Sequence, residues 1–280
     1  MTTPAVLTQP ATRASRLASR LPGWLPPLVL VAGLVLLWEV AVRLLDVPGY
    51  VLPAASDVAA ALVSNVPVLA GHTVATVTTA VLGLVLGAAV GVGLAAAMAA
   101  SAAVRAALYP LVVVSQSIPM VVLAPLFVVW FGFGLLPRVL VVALVSFFPV
   151  AVATVTGLLS ADRDQVDLVR AMGGGRRDVA VHVLIPGALP ALFTGLTVAA
   201  SYAMFAAVVG EWIGASSGLG LYLERSRASF ATDQMFAAVV VIAAVSVVLV
   251  AVVFALRRAA LPWQTAAQRQ QRVAASRAPW

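Results

Sequence analysis

The ionisable and hydrogen-bonding side chains that interrupt this chain's apolar runs are few enough to take one by one. Glu39 and Arg43 stand four residues apart, in the order at which a helix brings a carboxylate to a guanidinium, and they read as a structural pair near a helix end. Glu211 opens a Gly- and Ser-rich segment at the boundary of another apolar run. An ionisable group there is a candidate for handling a solute, and the competing reading is a surface ion pair with Arg225 or Arg227. Ser115-Gln116-Ser117, followed by Pro119 and Pro125, sets hydroxyl and amide groups beside positions where proline removes a backbone donor. Broken helices of that kind line cavities in transporters. Ser115, Gln116, Ser117, Pro119 and Glu211 are therefore the candidate substrate-path residues. The alternative for the three polar ones is hydrogen bonding to neighbouring helices near the inner end. His72 reads as interfacial, and His182 falls in a polar loop.

These groups do not assemble a reaction centre. The chain has no cysteine and two histidines, which excludes disulfides, thiolate metal sites, a cysteine nucleophile and a histidine-rich metal cluster. All 17 basic residues are arginine. Without lysine there is no Walker A loop, which needs that side chain on the nucleotide phosphates. No cofactor is expected, and any ATP hydrolysis falls to a partner subunit.

With 62% hydrophobic residues, 10% charged residues and a mean hydropathy of +1.07, the chain cannot cover its own apolar surface as a soluble domain does. Lipid must be part of its solvent. The net charge of +7 comes from arginines lying between apolar runs, not on a soluble basic face, which argues against a nucleic-acid partner.

No charged residue lies between Asp57 and Arg105, Arg105 and Arg138, Arg138 and Asp162, Asp178 and Glu211, or Asp233 and Arg257. A helix needs about 20 apolar residues to cross the hydrocarbon core. The runs are continuous and not alternating, so they are helices and not barrel strands. Six spans are predicted, at 25–45, 74–99, 106–130, 138–160, 188–209 and 234–256. The first is too long for a signal-peptide core and no A-x-A site follows it before Pro48, so it reads as an uncleaved helix. The organisation is a cytoplasmic N-terminal arm (1–24), a transmembrane domain (25–260) and a cytoplasmic tail (261–280), the tail disordered or lying on the membrane. Six crossings put both termini on one side. With that side cytoplasmic, thirteen arginines face in and four face out, as the positive-inside rule asks. Ser56-Asp57 is expected to cap a short interfacial helix. Gly83, Gly87 and Gly91 make a small-residue face for close helix packing, with a hinge as the second reading.

The loop 161–187 is the most polar stretch in the middle of the chain. A run of helix formers, a glycine break at Gly173, a second short segment and a proline stop read as a helix-turn-helix projecting from the membrane. Asp167, Gly173, Val183, Ile185 and Pro186 have the spacing of the EAA motif in permease subunits of bacterial ABC importers, which this loop resembles. It departs from that motif at Leu168 and Val169, where alanines are usual, at Asp167 for glutamate, and at Gly174-Gly175. The resemblance implies that Asp167 to about Asp178 forms a coupling helix docking on a separate ATP-binding subunit, with Asp167, Ala171, Gly173, Gly174, Arg176, Arg177 and Pro186 as the coupling residues.

A second resemblance spans most of the chain. Leu52-Pro-Ala-Ala-Ser-Asp-Val58, Ser117-Ile-Pro119, Ala124-Pro125-Leu126, Trp130-Phe-Gly-Phe-Gly134 and Gly210-Glu-Trp-Ile-Gly-Ala-Ser-Ser-Gly-Leu-Gly220 are similar to the nitrate, sulfonate and taurine importer permeases. Glu224-Arg-Ser-Arg and Phe230-Ala-Thr-Asp-Gln-Met-Phe236 resemble the permeases for pyrimidine precursors of thiamine. The implied fold is an all-α integral membrane protein, the six-transmembrane-helix type I ABC importer permease. The implied partners are an ATP-binding subunit, a periplasmic or lipid-anchored solute-binding protein, a second copy of the permease and membrane lipid. The implied solute is a thiamine pyrimidine precursor, or else an alkanesulfonate, taurine or nitrate. A stand-alone secondary transporter is the alternative, but it would require paired intramembrane charges and often an inverted repeat.

Overall fold

The structure, a computed structural model, describes residues 25–263. The N-terminal arm and the tail from 264 onward, with Arg13, Arg16, Arg20, Arg269, Arg272 and Arg277, lie outside the described residues. Helices form wherever the charge-free runs allow. They are α1 (Leu25–Leu44), α2 (Ala55–Ser64), α3 (Val66–Ala100), α4 (Ala102–Ser115), α5 (Met120–Phe131), α6 (Leu135–Leu159), α7 (Arg163–Ala171), α8 (Arg176–Val179), α9 (Ile185–Glu211), α10 (Leu219–Ala228) and α11 (Thr232–Ala260). Among the described residues, five helices are long and apolar enough to cross a membrane, and a sixth crossing is available if α4 and α5 act together.

Glycine sets the central packing. A methyl group at Gly87 would lie 2.6 Å from the Ala143 carbonyl oxygen, and one at Gly91 would lie 2.7 Å from that of Phe147. Gly83 faces Val142. The spacing read as a packing face is one, and its partner is α6. The register also fixes direction. Residues 83 to 91 climb beside residues 139 to 151, so α3 and α6 run parallel. Gly195 lies on Pro149 and Ala153, while Gly157 meets Ala188 and Ala191, so α9 runs antiparallel to α6. Two parallel spanning helices require the chain between them to return across the membrane, and α4 with α5 is that return. Close backbone approach in lipid gives dense dispersion contact and needs no polar pairing.

That third span departs from the straight helix expected over 106–130. The chain bends by 100° between α4 and α5. Pro119 cannot donate, and it turns the residue before it away from helix. The N–H groups of Gln116, Ser117 and Ile118 accordingly fall back on carbonyls three residues earlier. Pro110 and Pro125 sit inside helices without breaking them. Fourteen residues rise only about 21 Å as a helix, so neither half crosses the bilayer alone.

The outer layer is thinner. α1 lies on the periphery, with the Trp38 ring tilted against that of Phe236 of α11 at 5.8 Å. The expected Glu39–Arg43 pair forms at 2.6 Å. It also ties α1 to α2, because Glu39 Oε2 accepts from Ser56 N (3.0 Å) and Arg43 donates to Ser56 Oγ (2.9 Å). Ser56 is thereby engaged by the pair. The helix start is closed instead by Asp57, whose carboxylate accepts from Ala54 N at 3.2 Å.

Candidate functional site

Two sites stand at opposite ends of α9. At one end is a turn. α7 begins on Asp162, whose carboxylate accepts from Asp164 N (3.0 Å), and none of its residues is buried. Leu168 and Met172 are 61% and 79% exposed, unusual for apolar side chains on so polar a helix. Gly173 adopts φ +86, a conformation that side chains with a Cβ resist. Gly174 passes so close to its own helix that a methyl there would lie 2.7 Å from the Val169 oxygen. Asp178 then accepts from Gly175 N (2.8 Å) and starts the next helix. Asp167 and Arg170 form an exposed pair at 3.6 Å.

The turn therefore gathers Asp167, Ala171, Gly173, Gly174, Arg176 and Arg177 on one exposed knob. The helix-turn-helix expected here forms, as two helices meeting at Met172–Gly175, so the coupling helix implied over Asp167 to about Asp178 is broken at that turn. Pro186 is not a stop. α8 passes through a π-helical turn (Ala180–Leu184) directly into α9, and Arg176 to Glu211 form one span of 36 residues. Proline is tolerated in the first turn of a helix, where its missing donor is not needed, and here it follows the wide turn. Pro186 lies ten residues beyond Arg176, about 15 Å along the axis, and is not part of the knob.

At the other end Glu211 is fully buried. The Gly-rich segment after it doubles back, so that α10 begins against α3. Three successive backbone N–H groups at its start find side-chain acceptors. Gly218 N donates to His72 Nδ1 (2.9 Å), Leu219 N to Thr76 Oγ1 (2.7 Å) and Gly220 N to Glu211 Oε2 (2.8 Å). Thr76 Oγ1 donates in turn to Glu211 Oε2 at 3.1 Å, with the His72 carbonyl as a second acceptor at 3.2 Å. The first helical N–H groups have no partner within their own helix, and here α3 and α9 supply them. Arg138, at the start of α6 and 8% exposed, donates to Gly134 O (2.8 Å) and Ser217 O (3.2 Å). Among the described residues, Glu211 Oε1 is buried with no hydrogen-bond partner.

The expected surface pair of Glu211 with Arg225 or Arg227 does not form. Burial separates the carboxyl from that surface, and Arg227 bonds Glu224 (Nε to Oε2, 3.0 Å), its neighbour one turn back. The exposed Arg227 guanidinium holds the Glu224 carboxyl below the ordinary glutamate range. His72, read as interfacial, accepts from the Gly218 amide that caps α10.

The substrate-path set divides. Ser115, Gln116, Ser117 and Pro119 form the elbow between α4 and α5, where Ser115 Oγ donates to Val112 O (2.6 Å) and Gln116, Ser117 and Pro119 are exposed. Glu211 shares no hydrogen-bond partner with them. Thr76 and Arg138 are site residues that the sequence reading does not single out, and His72 is one it places only at the interface. Thr76 is one hydroxyl among several in an apolar run. The available signal was Gly218-Leu-Gly220 after Glu211. A Cβ at Gly218, which sits at φ +131, would overlap the carboxyl, and one at Gly220 would lie 2.5 Å from Val208 O.

Residues 87–264 match the family described as binding-protein-dependent transport system inner membrane component. Over 241 residues the chain is 33% identical to the formylaminopyrimidine transport permease protein ThiX of Halalkalibacterium halodurans, covering 86% of this chain and 96% of the relative. It is 37% identical over 235 residues to the riboflavin transport system permease protein RibX of Chloroflexus aurantiacus, covering 82% and 87% respectively. It is 30% identical over 246 residues to a putative aliphatic sulfonates transport permease protein, SsuC, of Bacillus subtilis, covering 86% and 88%. In fold it is similar to a chain of the MetNI methionine ABC transporter in an inward-facing conformation, at TM-score 0.55 and 23% identity, covering 67% of this chain and 91% of that one.

Proposed function

Because the chain belongs to the binding-protein-dependent transport system inner membrane components, we propose that it carries a small nitrogen heterocycle of the aminopyrimidine class inward, driven by an ATPase docked at Gly173. It is the multi-pass inner-membrane permease subunit of an ABC importer for a small solute, and it is not itself the catalyst of hydrolysis. A stand-alone secondary transporter is thereby set aside.

The observation that carries the coupling half is the knob itself. An exposed turn with a φ of +86 at Gly173 and with Leu168 and Met172 uncovered has the form of a plug waiting for a socket. The ATP-binding subunit supplies that socket, and its nucleotide cycle moves the turn. A ligand shifts a conformational equilibrium only through contacts that differ between the two states. An ATPase groove that closes around the knob in one nucleotide state supplies that difference. Rocking of the helices against one another then exposes the path to one side at a time.

Three further parts belong to this reading. The knob faces the cytoplasm, as do both termini. Support comes from the arginines of the described residues, seven on the side of the knob and four on the other, as the positive-inside rule asks. A second copy covers part of the apolar surface of α5, where Val129 is 78% exposed and Trp130 64%. The elbow lies along the path, with Gln116 and Ser117 presenting exposed polar side chains that make no side-chain hydrogen bond among the described residues. A solute-binding protein delivers cargo from outside. The aminopyrimidine reading is supported by the relative named for formylaminopyrimidine transport, which the chain matches over nearly its whole length, and by the resemblance of Glu224–Arg227 and Phe230–Phe236.

The test is uptake in proteoliposomes holding the permease, its ATPase and its binding protein. Radiolabelled formylaminopyrimidine should enter only with ATP and binding protein both present. Entry of taurine, an alkanesulfonate or nitrate in its place would overturn the solute assignment. Transport by the permease alone under an ion gradient would overturn the coupling.

A further inference from the structure

Glu211 ends the same unbroken helix that Arg176 begins. At 36 residues that helix runs about 54 Å, so a single rod joins the exposed knob to the buried cluster at the far face. We infer that Glu211, with Thr76 and Arg138, forms a positioning latch for transport that couples movement of the Gly173 knob to release of the α10 strap at the outer face. The inference rests on the functional reading above, since it needs a nucleotide-driven partner at the knob.

Two arrangements of the latch are available to the same groups. In the one observed, Thr76 and Glu211 hold the strap by its Leu219 and Gly220 amides, and Arg138 holds it by the Ser217 carbonyl. Glu211 Oε1 is left buried and unbonded, which is costly for a carboxyl oxygen. Arg138 stands across from the end of α9, where Gly210 packs on its backbone and a methyl would lie only 3.4 Å from its Cα. The guanidinium is nonetheless occupied by Gly134 O and, over a longer 3.2 Å, by Ser217 O. A shift of α9 along its axis exchanges one for the other. Arg138 leaves Ser217 for Glu211 Oε1, the Glu211 carboxyl turns from Gly220, and the strap loses its tethers from α9 and α6 in a single step. A switch requires two packed alternatives of similar free energy, and the unbonded Glu211 oxygen, one residue from the Gly210 contact with Arg138, provides the second.

Because the chain has no cysteine, Ser216→Cys gives one labelling site, on an exposed residue just ahead of the strap. The experiment uses the reconstituted complex of permease, ATPase and binding protein. It compares the rate of modification by a membrane-impermeant maleimide in the nucleotide-free and vanadate-trapped states. In the Ser216→Cys parent the rate should differ between states by about three-fold or more, as a population shift demands. Glu211→Gln and Thr76→Val should both abolish that difference. They should also lower solute imported per ATP hydrolysed by about ten-fold. Thr76→Ser, which keeps the hydroxyl but loses the methyl, should restore both. A purely structural role would instead lower the amount of folded complex without changing imported solute per ATP. The latch is overturned if labelling is independent of nucleotide in a parent that imports solute, or if Thr76→Val imports as much solute per ATP as the parent. A parent complex that hydrolyses ATP with no binding-protein-dependent import overturns the functional reading itself, and the latch with it.

Discussion

Thr76 and Glu211, 135 residues apart in the chain, meet through a hydrogen bond of 3.1 Å at a depth where both residues are inaccessible to solvent. That single contact places the first third of the molecule against the end of α9, and it leaves room between them for the glycines of Gly218-Leu-Gly220 and for nothing larger.

Replacing Gly218 by Ala should therefore be among the most damaging small changes in the protein. The backbone there sits at φ +131, where a side chain costs about 1–3 kcal/mol, and the new methyl would overlap the Glu211 carboxyl. A fall in the thermal unfolding temperature in detergent is expected. A variant as stable as the parent would show that the strap relaxes freely.

Within α3, two glycines make opposite predictions. Gly87→Ala drives a methyl to 2.6 Å from the Ala143 oxygen and should cost about 1–3 kcal/mol by overpacking. Gly93→Ala meets nothing within 4 Å and should be neutral or slightly stabilising, since alanine favours helix by up to about 1 kcal/mol. Paired unfolding curves test this, and equal effects at the two sites would argue against α6 as the neighbour that matters.

Gly173→Asp adds a Cβ at φ +86 and a negative charge at the tip of the knob. Open space surrounds the site, so the fold should survive and membrane abundance should match the parent. Uptake and solute-stimulated ATP hydrolysis should both be lost, by about 100-fold or more if the contact is made only in the coupled state. Normal uptake by this variant would count against the knob as the docking point.

At the elbow, Gln116→Ala removes an exposed amide without touching the backbone bonds that shape the bend. If that amide contacts solute on its way through, the half-saturating solute concentration should rise by about ten-fold, the worth of one hydrogen bond, while unstimulated ATP hydrolysis stays unchanged. A rise in hydrolysis with unaltered half-saturation would point to a role in coupling instead.

Much of this architecture was legible in the linear chain because lipid imposes a rule that depends on sequence alone. Each crossing must be long and apolar and must satisfy its own backbone, so the charge-free intervals located α3, α6, α9 and α11, and the apolar run before Leu45 located α1, to within a few residues at most ends. Glycine at four-residue spacing on α3 announced a close-packed face, and Gly173 announced a turn, because lacking a Cβ has the same local meaning wherever it occurs. Proline was harder to read. Pro119 makes a 100° elbow, Pro110 and Pro125 make none, and Pro186, expected to end the short segment before the fifth span, lies inside that span. A missing donor breaks a helix only where the surrounding turn cannot absorb it, and that depends on neighbours. The cluster at Glu211 depended on tertiary structure most of all. His72, Thr76 and Arg138 carry no pattern with Glu211 along the chain, and the local alternative of Arg225 and Arg227 looked as good. Only the antiparallel packing of α9 on α6, beside a parallel α3, brings those ends together. Burial then decides that the carboxyl bonds amides and a hydroxyl, because a polar group taken out of water is costly unless the fold delivers partners to it.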